Sequence, residues 1–96
     1  MRNSNEQTIG EAIREFLHTF DLEDKLNESR LIHSWEKVAG NLVARHTQHL
    51  HIRNKILFVK IDSPALRCEL NYSRARIVEL LNREVKAGVI EDIVFQ

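Results

Sequence analysis

Three histidines, His46, His49 and His51, lie within six residues of one another. Neutral imidazole is a common ligand of zinc, copper and nickel, so this spacing raises the question of a metal site. In an extended strand, His49 and His51 would project from the same face, whereas His46 would not. Because no third ligand is apparent, we interpret all three as ordinary strand histidines and predict that the protein binds no metal and no other cofactor.

Cys68 is the only cysteine, and it is the other candidate for reactive chemistry. A nucleophilic cysteine needs a general base and surroundings that stabilise its thiolate, and the sequence indicates neither. A single cysteine forms no internal disulfide, which favours the reducing cytoplasm. The sequence has no Gly-rich phosphate loop, paired-carboxylate pattern or serine nucleophile motif. We therefore predict that the protein is not an enzyme and takes no small-molecule substrate.

The remaining candidates are basic side chains placed around one aromatic ring. Basic and acidic residues number 14 each, so the net charge is zero, but residues 45–86 hold nine basic and four acidic side chains. Single-stranded nucleic acid is bound by cations that neutralise phosphates and by rings that stack on bases. The alternative is a solvated sheet face with one stray aromatic. The candidate nucleic-acid-binding residues are Arg53, Lys55, Phe58, Lys60, Arg67, Arg74, His49 and His51.

These side chains must be positioned by a single domain, because 96 residues supply only one modest core. We predict a flexible N-terminus over residues 1–7 and one domain over residues 8–96. A capping box at Thr8 and Glu11 predicts an amphipathic helix over residues 8–20. A short apolar segment follows at 22–26, and the apolar stripe around Trp35 predicts a helix over 29–45 that forms the centre of the core.

From His46 onward the apolar period changes to two, which predicts a β-hairpin that turns at Asn54-Lys55. This turn sets a register in which Arg53 faces Ile56 and, at the other end, Gln48 faces Ile61. One side of the hairpin is then apolar. The other side carries Phe58 with the basic residues and histidines.

Ser63-Pro64 indicates the start of a long helix that extends to about Lys86, and Val89 to Phe95 reads as a closing strand. The order predicts an α+β fold in which N-terminal helices, the hairpin, the long helix and the closing strand form a three-stranded sheet covered on one face. No apolar run approaches the ~20 residues of a membrane span, so we expect no membrane association.

Several short motifs occur in one order along the chain, and together they resemble the DciA family. The resemblance covers about Thr8 to Gln96, and the short chain is similar to the compact versions found in Bacteroidetes-type bacteria. The motifs are Trp35-x-x-Val38-x-Gly40, His46-Thr47, Leu57-Phe58-Val59-Lys60-Ile61, Ser63-x-x-Leu66-Arg67-x-Glu69-Leu70, Leu81-Asn82 and Ile90-x-Asp92-Ile93-Val94-Phe95.

The resemblance implies a KH-like fold, binding to DNA, contact with the bacterial replicative helicase and no catalytic activity. Many members carry a basic C-terminal extension and some a zinc ribbon, whereas this sequence stops after the last strand and has one cysteine. The candidate DNA contacts depend on charge and register alone, and we expect binding to a single strand to be weak. The alternative is a protein-interaction module without nucleic-acid binding, which uses the acidic helices of residues 8–28 and an exposed sheet edge.

Overall fold

The computed structural model describes residues 8–20 and 22–96, so the expected flexibility of residues 1–7 lies outside the described residues. The fold is α+β with a three-stranded mixed sheet, as predicted. None of the helices in the described ranges is long and apolar enough to cross a membrane. The elements are α1 (Ile9–Thr19), α2 (Leu22–His33), α3 (Trp35–Ala39), α4 (Asn41–Arg45), β1 (Thr47–Arg53), β2 (Ile56–Ile61), α5 (Pro64–Tyr72), α6 (Arg74–Val85) and β3 (Asp92–Phe95).

The sheet has the strand order β1-β2-β3, with β1 antiparallel and β3 parallel to β2. Asn54 and Lys55 have φ values of 52° and 64°, so both turn residues adopt the left-handed conformation of a tight hairpin. The predicted register is confirmed from Arg53↔Ile56 onward along most of the hairpin. The last predicted pair is wrong, because an irregularity between Thr47 and His49 places Thr47, and not Gln48, opposite Ile61.

One face of the sheet forms the core with the helices. Leu57, Val59 and Ile93 on this face are completely buried. Trp35 is buried beside them with its ring centroid 6.4 Å from that of Phe95, which confirms it as a core residue. The other buried members of the core are Leu31, Val43, Ile61, Leu70, Ile77, Leu81, Val85, Ile90 and Phe95. The predicted covering of one sheet face by helices is thus present.

The helices before the sheet break at other places than the sequence indicated. We expected a new helix near residue 29, but α2 continues from Leu22 to His33 without interruption. The chain breaks instead at Ser34, whose hydroxyl donates to the carbonyl of Arg30, and at Gly40. Gly40 has a φ of 95°, and a Cβ built there would meet nothing within 4 Å. Its role is therefore the backbone conformation that separates α3 from α4.

The predicted long helix after the hairpin is two helices. Ser63 caps α5 by accepting from the amide of Leu66 at 3.2 Å, as expected, but the helix ends at Tyr72 and α6 starts after Ser73. Lys86, with a φ of 58°, ends α6 in the left-handed conformation. The closing strand begins at Asp92 and not at Val89, because residues 86–91 form the connection from α6 to the sheet.

The helix α1 forms as predicted, with the Thr8 hydroxyl accepting from the Glu11 amide at 3.0 Å. Its apolar face, however, does not join the core, and none of residues 9–19 is buried. The radius of gyration is 16.9 Å and the longest extent is 64 Å, with 23 and 21 Å in the other directions. A compact chain of this length would have a radius of about 12.5 Å. The molecule is therefore elongated.

Candidate nucleic-acid interface

The face of the sheet opposite the core, which we call the open face, presents three rows of side chains. The strand register gives the first row as Arg53, Ile56 and Asp92 and the second as His51, Phe58 and Val94, while His49 and Lys60 form the third. These side chains are half-buried or exposed. The side chains that alternate with them are buried in β2 and β3, and in β1 Leu50 and Ile52 are half-buried. This alternation is what a period of two requires of a sheet with one covered face.

Rings occupy the centre of the open face. The centroids of His51 and Phe58 are 4.8 Å apart with the planes inclined by 8°, so the two rings are stacked. The ring of His49 lies 5.3 Å from that of His51 at 38°. Val94 is partly exposed on the other side of Phe58. The middle of the open face therefore presents adjacent rings and one valine, and a nucleic-acid base could stack against these rings.

Two cations flank this centre. Arg53 lies in the first row and Lys60 in the third, on opposite sides of the row that contains Phe58. Both are exposed, and neither pairs with a carboxylate among the described residues. A strand whose base stacks on Phe58 would bring its phosphates toward these unpaired charges.

Arg74 extends the charged surface at the β3 edge. Its Nε lies 3.9 Å from Oδ1 of Asp92, the only carboxylate among the open-face residues defined above. With Arg53 and Lys60, this surface thus has three cations and one carboxylate. The formal charge of +2 is small for a surface that binds a polyanion.

The other two predicted basic residues lie elsewhere. Lys55 is in the hairpin turn and lines a cleft with Asp24 and Glu28 of α2, so two acidic residues line the same cleft as its charge. Arg67 is half-buried, and its Nη1 donates to the carbonyl of Ile61 at 3.0 Å. Arg67 therefore holds the start of α5 against the end of β2. The structure brings six of the eight candidates to the open face or its rim, and leaves Lys55 and Arg67 away from it.

The histidine cluster does not form a metal site among residues 8–20 and 22–96, which contain no group of three potential ligands placed for an ion. Nδ1 of His46 lies 2.7 Å from Oδ1 of Asp62, and the Asp62 amide donates to the His46 carbonyl at 3.0 Å. These contacts join the two ends of the hairpin. Cys68 is exposed on α5.

The sequence interpretation did not include Asp92 and Val94 in the surface. Their position depends on the parallel pairing of Ile56 with Asp92 and Phe58 with Val94. Such pairing joins strands that are distant in sequence, so the local pattern carries no signal for it. The Ile90-x-Asp92-Ile93-Val94-Phe95 motif does show, by its alternation, that Asp92 and Val94 share a face.

The sequence model of the family described as "Dna[CI] antecedent, DciA" matches residues 8–95. No curated protein matches the sequence. The family match includes every residue of the open face and every element of the fold.

Proposed function

The chain belongs to the DciA family, and from this premise we propose that it is a non-enzymatic accessory protein that binds single-stranded DNA and contacts the replicative helicase. The family is associated with loading of that helicase, which gives the chain a role in DNA replication. DNA binding, helicase contact, the absence of catalysis and a place in the cytoplasm are the parts that we propose.

The observation that carries the DNA-binding proposal is the stacked pair of His51 and Phe58 between two unpaired cations. Base stacking on aromatic rings tolerates any sequence, since every base has a π-face. Three strands offer room for about two or three stacked bases, as in other sheet-based modules. We therefore propose sequence-tolerant binding of a single strand across the open face.

We propose that the fold is KH-like but that the chain does not contact DNA in the way that KH domains usually contact nucleic acid. KH domains clamp the nucleic-acid backbone with a Gly-x-x-Gly loop. The three glycines of this chain are Gly10, Gly40 and Gly88, and no two of them have that spacing. We therefore propose that DNA binds to the sheet face and not to a glycine loop.

The small charge of the surface sets the expected strength of binding. If about three phosphates are neutralised, log K falls with log salt with a slope of about −2. Such binding is weak at physiological salt. A helicase that holds the chain close to the emerging strand would raise the local concentration and make weak binding sufficient.

Fluorescence anisotropy of a labelled single strand at several salt concentrations tests the DNA contact. We expect Arg53→Glu with Lys60→Glu to abolish binding at low salt. The matched control is Arg76→Glu with Arg83→Glu, which changes the net charge equally at exposed α6 positions whose ion pairs among the described residues are with Glu79. If both double variants lose the same DNA affinity, the loss is an effect of net charge, and the open face is not the DNA-binding surface.

Pull-down of the purified helicase of the same bacterium tests the second contact. We expect recovery of the helicase to persist after nuclease treatment. Recovery that depends on intact DNA would mean bridging by the nucleic acid and would contradict direct contact.

A further inference from the structure

The helix α1 and its C-cap residue, Phe20, carry an apolar face that is exposed to solvent. Ile9, Ile13, Phe16 and Phe20 follow the spacing of one helical face and are 80%, 53%, 55% and 59% exposed. The rings of Phe16 and Phe20 lie 4.7 Å apart. Together the four side chains expose on the order of 400 Å² of apolar surface, and an exposed patch of this size is often functional.

The surface continues into the first turns of α2, where Leu22 and Leu26 are also exposed. Leu31 is the first buried residue along the described chain. The described residues between Ile9 and Leu26 thus contribute no buried side chain to the core, and no described element covers their apolar face. Packing in the core therefore does not explain why these exposed side chains are apolar.

The charge of this segment restricts what can cover it. Residues 8–28 contain Arg14 and Lys25 against six acidic side chains, so their net charge is −4. Phosphates of DNA and anionic lipid headgroups would be repelled. A second copy of this chain would place one segment with a net charge of −4 against another of the same charge, and the two would repel each other. The occupant that fits is a different protein, with an apolar groove and a rim of Lys and Arg side chains.

We infer that α1 is the helix by which this chain docks on its protein partner, with Ile9, Ile13, Phe16 and Phe20 as anchors in such a groove. Anchors at offsets of 4, 7 and 11 residues are the pattern of an amphipathic helix bound in a groove. This inference rests on the proposed function, under which the partner is the replicative helicase. The acidic helix α1 then binds the helicase, and the basic open face remains available to bind DNA.

The test measures binding of the full-length chain to the purified helicase by calorimetry, with DNA anisotropy in parallel. We expect Phe16→Asp with Phe20→Asp to weaken helicase binding by about 100-fold and to change DNA binding less than twofold. The control is Leu42→Asp with Tyr72→Asp, which places the same charge at exposed apolar residues outside α1 and is expected to change helicase binding less than threefold.

A milder pair, Phe16→Ala with Phe20→Ala, keeps a residue that favours the helix and is expected to weaken helicase binding about tenfold. Circular dichroism verifies that α1 still forms in it. Reversal of charge by Glu23→Lys with Asp24→Lys is expected to weaken binding about tenfold at low salt, and the difference is expected to shrink as salt increases.

The outcomes separate the inference from the proposed function. If the wild-type chain binds the helicase and both phenylalanine variants bind equally well, the docking role of α1 is wrong and the proposed function stands. If the wild-type chain does not bind the helicase at all, the proposed helicase role and this inference are both wrong. If sedimentation shows a wild-type dimer that the phenylalanine variants abolish, a second copy occupies α1 and the inference is overturned.

Discussion

The imidazole of His51 lies flat on the ring of Phe58, with 4.8 Å between the ring centroids and 8° between the planes. The two residues are directly opposite each other in the β1–β2 pairing, so the hairpin register fixes their contact. A ring held in this way loses little further freedom when a base stacks beside it. The stacked pair is thus a preorganised part of the proposed DNA surface.

Replacing Phe58 tests the stacking contribution separately from charge. We expect Phe58→Ala to lower single-strand affinity by about tenfold, because base stacking on an aromatic ring is worth about 1–3 kcal/mol. The slope of log K against log salt should not change, since no cation is lost. Anisotropy titrations at several salt concentrations measure both quantities. An altered slope with unaltered affinity would contradict a stacking role.

The salt slope also separates the cations that face DNA from those that do not. We expect Lys60→Gln to reduce the magnitude of the slope by about 0.7, the value for one phosphate contact on a single strand. Lys55→Gln should leave the slope unchanged, because Lys55 lines the cleft with Asp24 and Glu28. Equal reductions in the two variants would place the strand along the hairpin turn instead of the open face.

The features that the sequence predicted well are local. Asn54 tolerates the left-handed conformation, and alternation fixes which side of the hairpin is buried, so the register follows from a few adjacent residues. The predicted register is wrong at Thr47, which lies opposite Ile61. The hydroxyl of Thr47 donates to the carbonyl of Val43 and accepts from the indole of Trp35, a contact across twelve residues that no local pattern reveals.

The site could be predicted only in part for the same reason. Charge and alternation placed Arg53, Phe58 and Lys60 on one surface. The partners of Arg67 and Arg74 are a strand carbonyl and a carboxylate on β3, and both contacts depend on how the helices pack. The sequence alone therefore does not distinguish a basic residue that holds the fold together from one that faces solvent.

Replacement of Gly40 tests whether its backbone conformation is required. We expect Gly40→Ala to lower the free energy of unfolding by about 1–3 kcal/mol, because a side chain is strained at a φ of 95° even where space is open. Gly88→Ala is the matched control. A Cβ there also meets nothing within 4 Å, and its φ is not positive, so we expect a change within about 0.5 kcal/mol. Urea denaturation of both variants measures the difference, and equal stabilities would refute the conformational role.

Asn82 is expected to control the position of β3. Its Oδ1 accepts from the amides of Val89 and Ile90 at 3.0 and 3.1 Å, and its Nδ2 donates to the carbonyl of Ile90 at 2.9 Å. These bonds hold the connection from α6 to β3. Asn82→Ala leaves the amide and the carbonyl of Ile90 without partners, whereas the Val89 amide keeps its bond to the carbonyl of Ala87. We therefore expect a loss of about 2–3 kcal/mol in the free energy of unfolding.

The same substitution should also loosen β3, with faster hydrogen exchange at the amides that pair it with β2. Asn71→Ala is the control, because Asn71 is exposed and donates only to the carbonyl of Arg67 one turn earlier in α5. We expect a change within about 0.5 kcal/mol for that variant. Since β3 contributes Asp92 and Val94 to the open face, Asn82→Ala should weaken DNA binding although Asn82 itself does not lie on that face. Unchanged exchange in β3 would mean that sheet pairing alone fixes the strand.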